Sequence, residues 1–269
     1  MGNGIAHVFA QAGTEVLLVD VSQAQIENAL QTIRKNMDRQ VKKASLTEAD
    51  RDAALARIKT ANQASAAGDA DIVVEAATES PDLKFRIFQE LDKTAKPAAI
   101  LATNTSSISI TEIAGKTGRP DRVIGMHFMN PVPVMQLVEV VRGLKTSDET
   151  TKTVVALSKK LGKTPVEVND YPGFVSNRLL MPMINEAVYC VMEGVATPEA
   201  VDTVMKLGMS HPLGPLALAD LIGLDVCVAI LEVLHRGLGD DKYCPCPLLR
   251  KMVAAGQLGR KSGRGFYEY

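Results

Sequence analysis

Apolar positions along the chain change their period partway through. Ile5 to Ala12 reads as a short helix closed by Gly13. Glu15 to Asp20 follows as an unbroken apolar run ending in an acid, the pattern of a strand buried on both faces. Ile26, Leu30, Ile33, Met37 and Val41 recur at steps of three and four, which predicts a helix over 23–41. A second helix is expected from Thr47, where Thr47 and Asp50 form a capping pattern. Further buried strands are predicted at 70–76, 99–103, 123–128 and 137–141, with a short last one at 165–168. Helices are expected at 81–95 and 151–160, the first with a proline in its opening turn.

Strand and helix alternate in this way up to about Asn169. The alternation predicts a parallel sheet with helices on both faces, an α/β Rossmann-type arrangement. After Asp170-Tyr171-Pro172-Gly173 the period is helical throughout, with turns at Gly194, Gly208, Pro212 to Pro215 and Gly239. The expected organisation is therefore an α/β domain over 1–170 and an all-α domain over 171–269. The first predicted helix of the second domain, 179–192, is apolar on more than one face and needs partners on two sides. The most apolar stretch, 216–234, contains Asp220, Asp225 and Glu232 and reads as one buried helix of a water-soluble domain, not a membrane span.

Composition narrows the function. Hydrophobic residues make up 46% and charged residues 23% of 269 positions, enough apolar material for a core and too much for disorder. Thirty basic against 31 acidic residues leave no field to hold nucleic acid or anionic lipid, so neither is an expected partner. Zero tryptophans and 4% aromatics argue against base-stacking surfaces. Cys190, Cys227, Cys244 and Cys246 form no CxxC pair and read as free thiols in a reducing compartment. None of the four histidines has metal-ligand spacing, and no metal is expected.

A helix followed by an apolar strand ending in Asp20 is the second part of a nucleotide-binding βαβ unit. An acid at that strand end accepts hydrogen bonds from the ribose hydroxyls of NAD and repels the extra phosphate of NADP. Gly2 and Gly4 open the preceding helix, whose N–H groups suit a pyrophosphate. The unit's first strand and leading glycines are expected ahead of Met1, about 15 residues by the size of such units. His127 ends a strand at the edge where open α/β sheets bind ligands, and imidazole suits proton transfer near neutral pH. Glu139 is a lone charge in an apolar strand and needs a partner, either His127 on a neighbouring strand or water at a sheet edge. Ser106 is a candidate hydrogen-bond donor at a strand end, or a helix N-cap.

Several segments carry a resemblance. Met1-Gly2-Asn3-Gly4-Ile5-Ala6 looks like the tail of a dinucleotide fingerprint. Asn104-Thr105-Ser106-Ser107, His127-Phe128-Met129-Asn130-Pro131-Val132-Pro133 and Asp170-x-Pro172-Gly173-Phe174-Val175-x-Asn177-Arg178 follow in order. So do Met205-Lys206-Leu207-Gly208 with His211-Pro212-Leu213-Gly214-Pro215, and the ending Gly259-Arg260-Lys261-x-Gly263-x-Gly265-Phe266-Tyr267. Together they resemble the 3-hydroxyacyl-CoA dehydrogenases over essentially the whole chain, and most closely the bacterial short-chain members.

The resemblance implies an oxidoreductase that uses NAD to interconvert (S)-3-hydroxybutyryl-CoA and acetoacetyl-CoA. It implies His127 as the base, Glu139 as its orienting acid, and Ser106 and Asn177 at the reacting oxygen, in an active site shared by both domains that closes about 170–173. It assigns Asp20 to the adenosine ribose, Gly2 to the phosphates, Glu79 and Lys84 to the nicotinamide-side ribose, and Asn104, Ser106 and Asn130 beside the ring. Lys84 alone also reads as a solvated helix charge. The basic cluster Arg39, Lys42 and Lys43, which closes the long helix, would meet the CoA phosphates as point charges, and the resemblance favours Lys43 in particular, although such a cluster also reads as solvated surface. A homodimer through the second domain and a cytoplasmic location are further expectations. Two alternatives stand beside this reading: a longer-chain 3-hydroxyacyl-CoA dehydrogenase, and a non-catalytic relative of the lens-crystallin kind.

Overall fold

The computed structural model describes residues 1–269 as two compact units, Met1–Asp170 and Tyr171–Tyr269. The first unit begins with α1 (Gly2–Gln11) and β1 (Val16–Val19), followed by α2 (Gln23–Lys42) and α3 (Glu48–Ala56). Ser22 caps α2 and Thr47 caps α3, each side chain accepting from the backbone N–H three residues on. The chain continues through β2 (Ile58–Ala61), β3 (Ile72–Glu75), α4 (Pro81–Thr94) and β4 (Ile100–Thr103). It ends with α5 (Ile110–Ala114), β5 (Val123–Phe128), β6 (Leu137–Arg142), α6 (Asp148–Lys160) and β7 (Thr164–Asn169).

The predicted single sheet is two sheets. β1 pairs with β2 in parallel, and β3 to β7 form a five-stranded sheet in sequence order. No ladder joins β1 to β3. The Rossmann-type parallel arrangement holds at every pairing except β5 with β6, which is antiparallel. The short loop between β5 and β6 explains that exception, because a parallel return needs a crossover of about a dozen residues or more. β2 is a strand that the hydrophobic pattern does not predict.

Helix α1 ties these parts together. Its Ile5, Val8 and Phe9 pack with Ala102, Ile124, Met126 and Val140 of the five-stranded sheet. Its Ala6 and Ala10 pack with Ile33 and Met37 of α2 and Ala54 of α3. Small residues on the second face let the helices approach closely. At Gly125 of β5 an added Cβ would lie 2.7 Å from the Cβ of Val141 and 3.0 Å from Ile110, so only glycine fits between β6 and α5 there.

The second unit contains α7 (Ser176–Met192), α8 (Pro198–Gly208), α9 (Pro215–Ile222), α10 (Leu224–Leu238) and α11 (Pro247–Ala254). The stretch 216–234, expected as one helix, is divided between α9 and α10. Gly223 breaks it with φ +106°, a backbone conformation closed to a continuing helix. The core joins Met181, Ile184 and Val188 of α7 to Leu216, Leu224, Leu231, Leu234 and Leu249. Two buried acids organise the chain end. Asp202 accepts from the N–H groups of Leu216 and Ala217 and from the Tyr267 hydroxyl. Asp220 accepts from the N–H groups of Phe266 and Tyr267 and from the Tyr269 hydroxyl. A side chain at Gly265 would overlap the Asp220 carboxylate, which accounts for a glycine in the closing motif.

Candidate active site

Antiparallel pairing sets His127 directly opposite Glu139. Both are almost fully buried, at 7% and 2% exposure, and His127 Nδ1 lies 2.8 Å from Glu139 Oε2. A carboxylate in that place holds Nδ1 as the N–H donor and makes Nε2 the ring atom that exchanges protons. The sheet-edge alternative for Glu139 is thereby excluded. Nearby, Asn104 follows β4 and its Oδ1 accepts from the N–H of Phe128, which locks the end of β4 to the residue after His127. Asn130 is exposed and precedes Pro131 in a cis peptide.

A second polar cluster surrounds Ser106. Glu79 Oε1 accepts from the hydroxyls of Thr105 (2.5 Å), Ser106 (3.3 Å) and Ser107 (3.0 Å). It also accepts from the N–H groups of Ser106 (2.9 Å) and Ser107 (3.1 Å). Burial works against the charge of Glu79, but these hydrogen bonds and the Lys84 ammonium outweigh it and hold its carboxyl below the usual range. Ser106 is not a helix cap: Ser109 caps α5 by accepting from the N–H of Glu112.

Lys84 is not a solvated charge. It is 1% exposed, and its Nζ donates to both oxygens of Glu75 at 2.8 and 2.9 Å, with Glu79 Oε2 at 3.5 Å. Glu75 also accepts from the Thr103 hydroxyl and the N–H of Ala77. Sequence reasoning does not single out Glu75, although an acid closing an apolar strand is the same signal that marks Asp20.

The residues present fit a dinucleotide. Gly2, at the start of α1, lies beside Ala76, just past the end of β3, so α1 begins at the carboxyl edge of the sheet. The first-turn N–H groups of a helix have no intrahelical partner and suit a pyrophosphate. Close approach at Gly4, where a Cβ would lie 2.9 Å from Val132, leaves no room for a larger residue. Asp20 stands half-buried at the carboxyl end of β1, with Oδ1 accepting from the N–H of Ser22. Arg39 and Lys43 are exposed at the C-terminal end of α2.

Asn177 lies in the first turn of α7 in the second unit and is buried. Of the other histidines, His7 is fully buried, with Nε2 near Gln11 (3.0 Å) and Gln40 (3.2 Å). His235 is in the last turn of α10, 3.1 Å from Asp241.

Residues 1–171 match the family model "3-hydroxyacyl-CoA dehydrogenase, NAD binding domain", and residues 173–269 match "3-hydroxyacyl-CoA dehydrogenase, C-terminal domain". A probable 3-hydroxybutyryl-CoA dehydrogenase of Bacillus subtilis (strain 168) is 60% identical over 269 residues, which span all of this chain and 94% of the relative. A 3-hydroxybutyryl-CoA dehydrogenase of Bradyrhizobium diazoefficiens is 53% identical, over all of this chain and 92% of the relative. The crystal structure of (S)-3-hydroxybutyryl-CoA dehydrogenase PaaH1 from Ralstonia eutropha superposes with TM-score 0.97 at 55% identity, covering 100% of this chain and 95% of that one. Matched by both domain models and at this identity, the chain belongs to the 3-hydroxyacyl-CoA dehydrogenase family and is an NAD-dependent enzyme.

Proposed function

We propose that the chain oxidises (S)-3-hydroxybutyryl-CoA to acetoacetyl-CoA, reversibly. The observation that carries the mechanism is the buried His127–Glu139 pair. His127 Nε2 takes the proton of the substrate hydroxyl, and Glu139 orients the ring and stabilises the imidazolium that forms. Ser106 donates to the oxygen on which negative charge develops. NAD, when bound, supplies the hydride acceptor. Asp20 holds its adenosine ribose, the first turn of α1 its phosphates, and Asn104 and Asn130 stand at the ring end. In the reverse direction His127 returns the proton to the same oxygen. Arg39 and Lys43 meet the CoA phosphates as point charges.

The four-carbon substrate is the one that the relatives' names give. Reduction of acetoacetyl-CoA, followed by loss of NADH absorbance and run beside NADPH, tests the reading. Turnover with NADH that exceeds turnover of a C8–C10 3-ketoacyl-CoA supports it. Better kcat/KM for the longer substrate transfers the chain to the longer-chain members. No turnover of either substrate favours the non-catalytic alternative.

The same reading makes the enzyme a cytoplasmic homodimer. No helix is long and apolar enough to cross a membrane. Val195, Val204, Leu207 and Leu221 of the second unit are each more than half exposed, which favours a partner surface there. Sedimentation equilibrium of the full chain tests this: a monomer mass at micromolar concentration rejects the dimer.

A further inference from the structure

We propose that Glu79 is a positioning residue for Ser106: it sets the turn that carries the Ser106 hydroxyl, with the buried Lys84–Glu75 pair holding it from behind. This rests on the reading above, in which Ser106 donates to the substrate oxygen.

Three observations carry the assignment. First, five donors from the consecutive residues Thr105, Ser106 and Ser107 converge on one oxygen of Glu79. Two successive backbone N–H groups aimed at a single anion form a nest, which fixes the φ and ψ angles of the turn. Second, the distances rank the five. The Thr105 hydroxyl (2.5 Å) and the Ser106 N–H (2.9 Å) are short, whereas the Ser106 hydroxyl is the longest at 3.3 Å. The backbone is thus held firmly, and the Ser106 O–H is the bond most easily given up when a substrate oxygen offers itself. Third, Glu79 is itself fixed. Its other oxygen faces Lys84 Nζ, and that ammonium is anchored by both oxygens of the nearly fully buried Glu75. Glu75 in turn takes the Thr103 hydroxyl at 2.7 Å, at the end of the strand that leads into the turn. The network therefore runs from the end of β3 through α4 to the end of β4.

The family resemblance assigns Glu79 to a ribose hydroxyl of the cofactor. The two roles separate experimentally. A ribose ligand acts on cofactor affinity, whereas a positioning residue acts on the step in which Ser106 works. Steady-state reduction of acetoacetyl-CoA would be measured for Glu79→Ala, Glu79→Gln, Ser106→Ala and the double variant Glu79→Ala/Ser106→Ala. Amide hydrogen exchange over residues 103–110 would be followed in the same proteins. We expect Glu79→Ala to lower kcat by about tenfold to a hundredfold, with KM for NADH changed by less than about twofold. Glu79→Gln keeps an acceptor oxygen and falls between the two. In the Ser106→Ala background, loss of Glu79 costs less than about twofold more, because the hydroxyl it positions is gone. The Ser106 and Ser107 amides exchange at least about tenfold faster without the carboxylate.

A raised KM for NADH with kcat unchanged would make Glu79 a cofactor ligand and overturn the proposal. Multiplying losses in the double variant, or unchanged amide exchange, would overturn it as well. Should Glu79→Ala fail to fold, the isosteric Glu79→Gln carries the same readouts. The exchange measurement needs no substrate. If the unaltered chain does not reduce acetoacetyl-CoA, the functional reading fails, and amide exchange still decides whether Glu79 holds the turn.

Discussion

Replacing Glu139 with glutamine keeps the volume of the side chain and removes one charge from a nearly closed site. The carboxylate lies 2.8 Å from His127 Nδ1 in a pair with 7% and 2% exposure, so water cannot stand in for it. A hydrogen bond to a charged group contributes roughly 1.5–3 kcal/mol, about twice a neutral one. That contribution is largest when the imidazole gains a proton, which happens in the transition state for alcohol oxidation. The amide oxygen of glutamine still accepts from Nδ1, so about half of that, roughly 0.8–1.5 kcal/mol, is lost from the barrier, a fall in kcat of about fourfold to thirteenfold at 1.36 kcal/mol per factor of ten. The mechanism proposed gives Glu139 no contact with the substrate, so KM for (S)-3-hydroxybutyryl-CoA stays within about threefold.

The assay is NAD reduction with (S)-3-hydroxybutyryl-CoA for Glu139→Gln, His127→Gln and the double variant, with Tm recorded for each. Residues that act as a unit are not additive, so the double variant should be no slower than His127→Gln alone. The reasoning fails if the two losses multiply, because Glu139 would then act independently of His127. Unchanged kcat in Glu139→Gln with full cofactor binding refutes it equally.

Other predictions follow from particular contacts. Lys84→Met strands the Glu75 carboxylate in the interior, and we expect a loss of about 3–5 kcal/mol in urea unfolding; a change below about 1 kcal/mol would show that water reaches the site. Burial lowers the pKa of Lys163, whose Nζ donates to the carbonyls of Val132 and Met135 without an acid beside it. Between its lowered folded value and the ordinary lysine value the unfolded chain binds more protons, so this group adds stability as pH rises through that window; the increment should be absent in Lys163→Met. The Cys227 thiol is fully buried and pushed up to about 12, by burial first and the nearby Asp225 and Asp220 charges after it. A thiol reagent at pH 8 should therefore label Cys190 and Cys244 in the native chain and reach Cys227 only after unfolding. Asn177→Ala should lower kcat by about tenfold or more if its family role at the reacting oxygen holds, as measured in the same NADH assay.

Much of the α/β frame is legible in the residues because buried strands are long apolar runs and their helices carry a 3.6-residue period. The His127–Glu139 pair is legible for a related reason. A charge inside an apolar strand must find a partner, and a short connection forces the next strand to return antiparallel, opposite the first. β2 is not legible, because Ile58-Lys59-Thr60-Ala61 has only two apolar residues, at its ends, and its burial comes from β1 and α3. Lys84 is not legible either. On a helical wheel it is one more lysine, and only the fold shows that Glu75 waits beneath it. The break at Gly223 is visible as a residue, but its positive φ is a property of how α9 and α10 pack, which no periodicity encodes.

Three acids near the carboxyl edge of the first unit show why residue type alone cannot assign chemistry. Glu75 accepts from the Lys84 Nζ and the Thr103 hydroxyl and serves as an anchor for both. Glu79 faces hydroxyls, backbone N–H groups and the Lys84 ammonium, the setting in which we propose that it shapes the turn it grips. Glu139 alone faces an imidazole, the side chain whose charge changes near neutral pH. A carboxylate contributes to proton transfer in proportion to how readily its partner gains and loses a proton. By that criterion His127 with Glu139 is the pair we propose for proton transfer, and Glu75 and Glu79 belong to the frame we propose for the Ser106 turn.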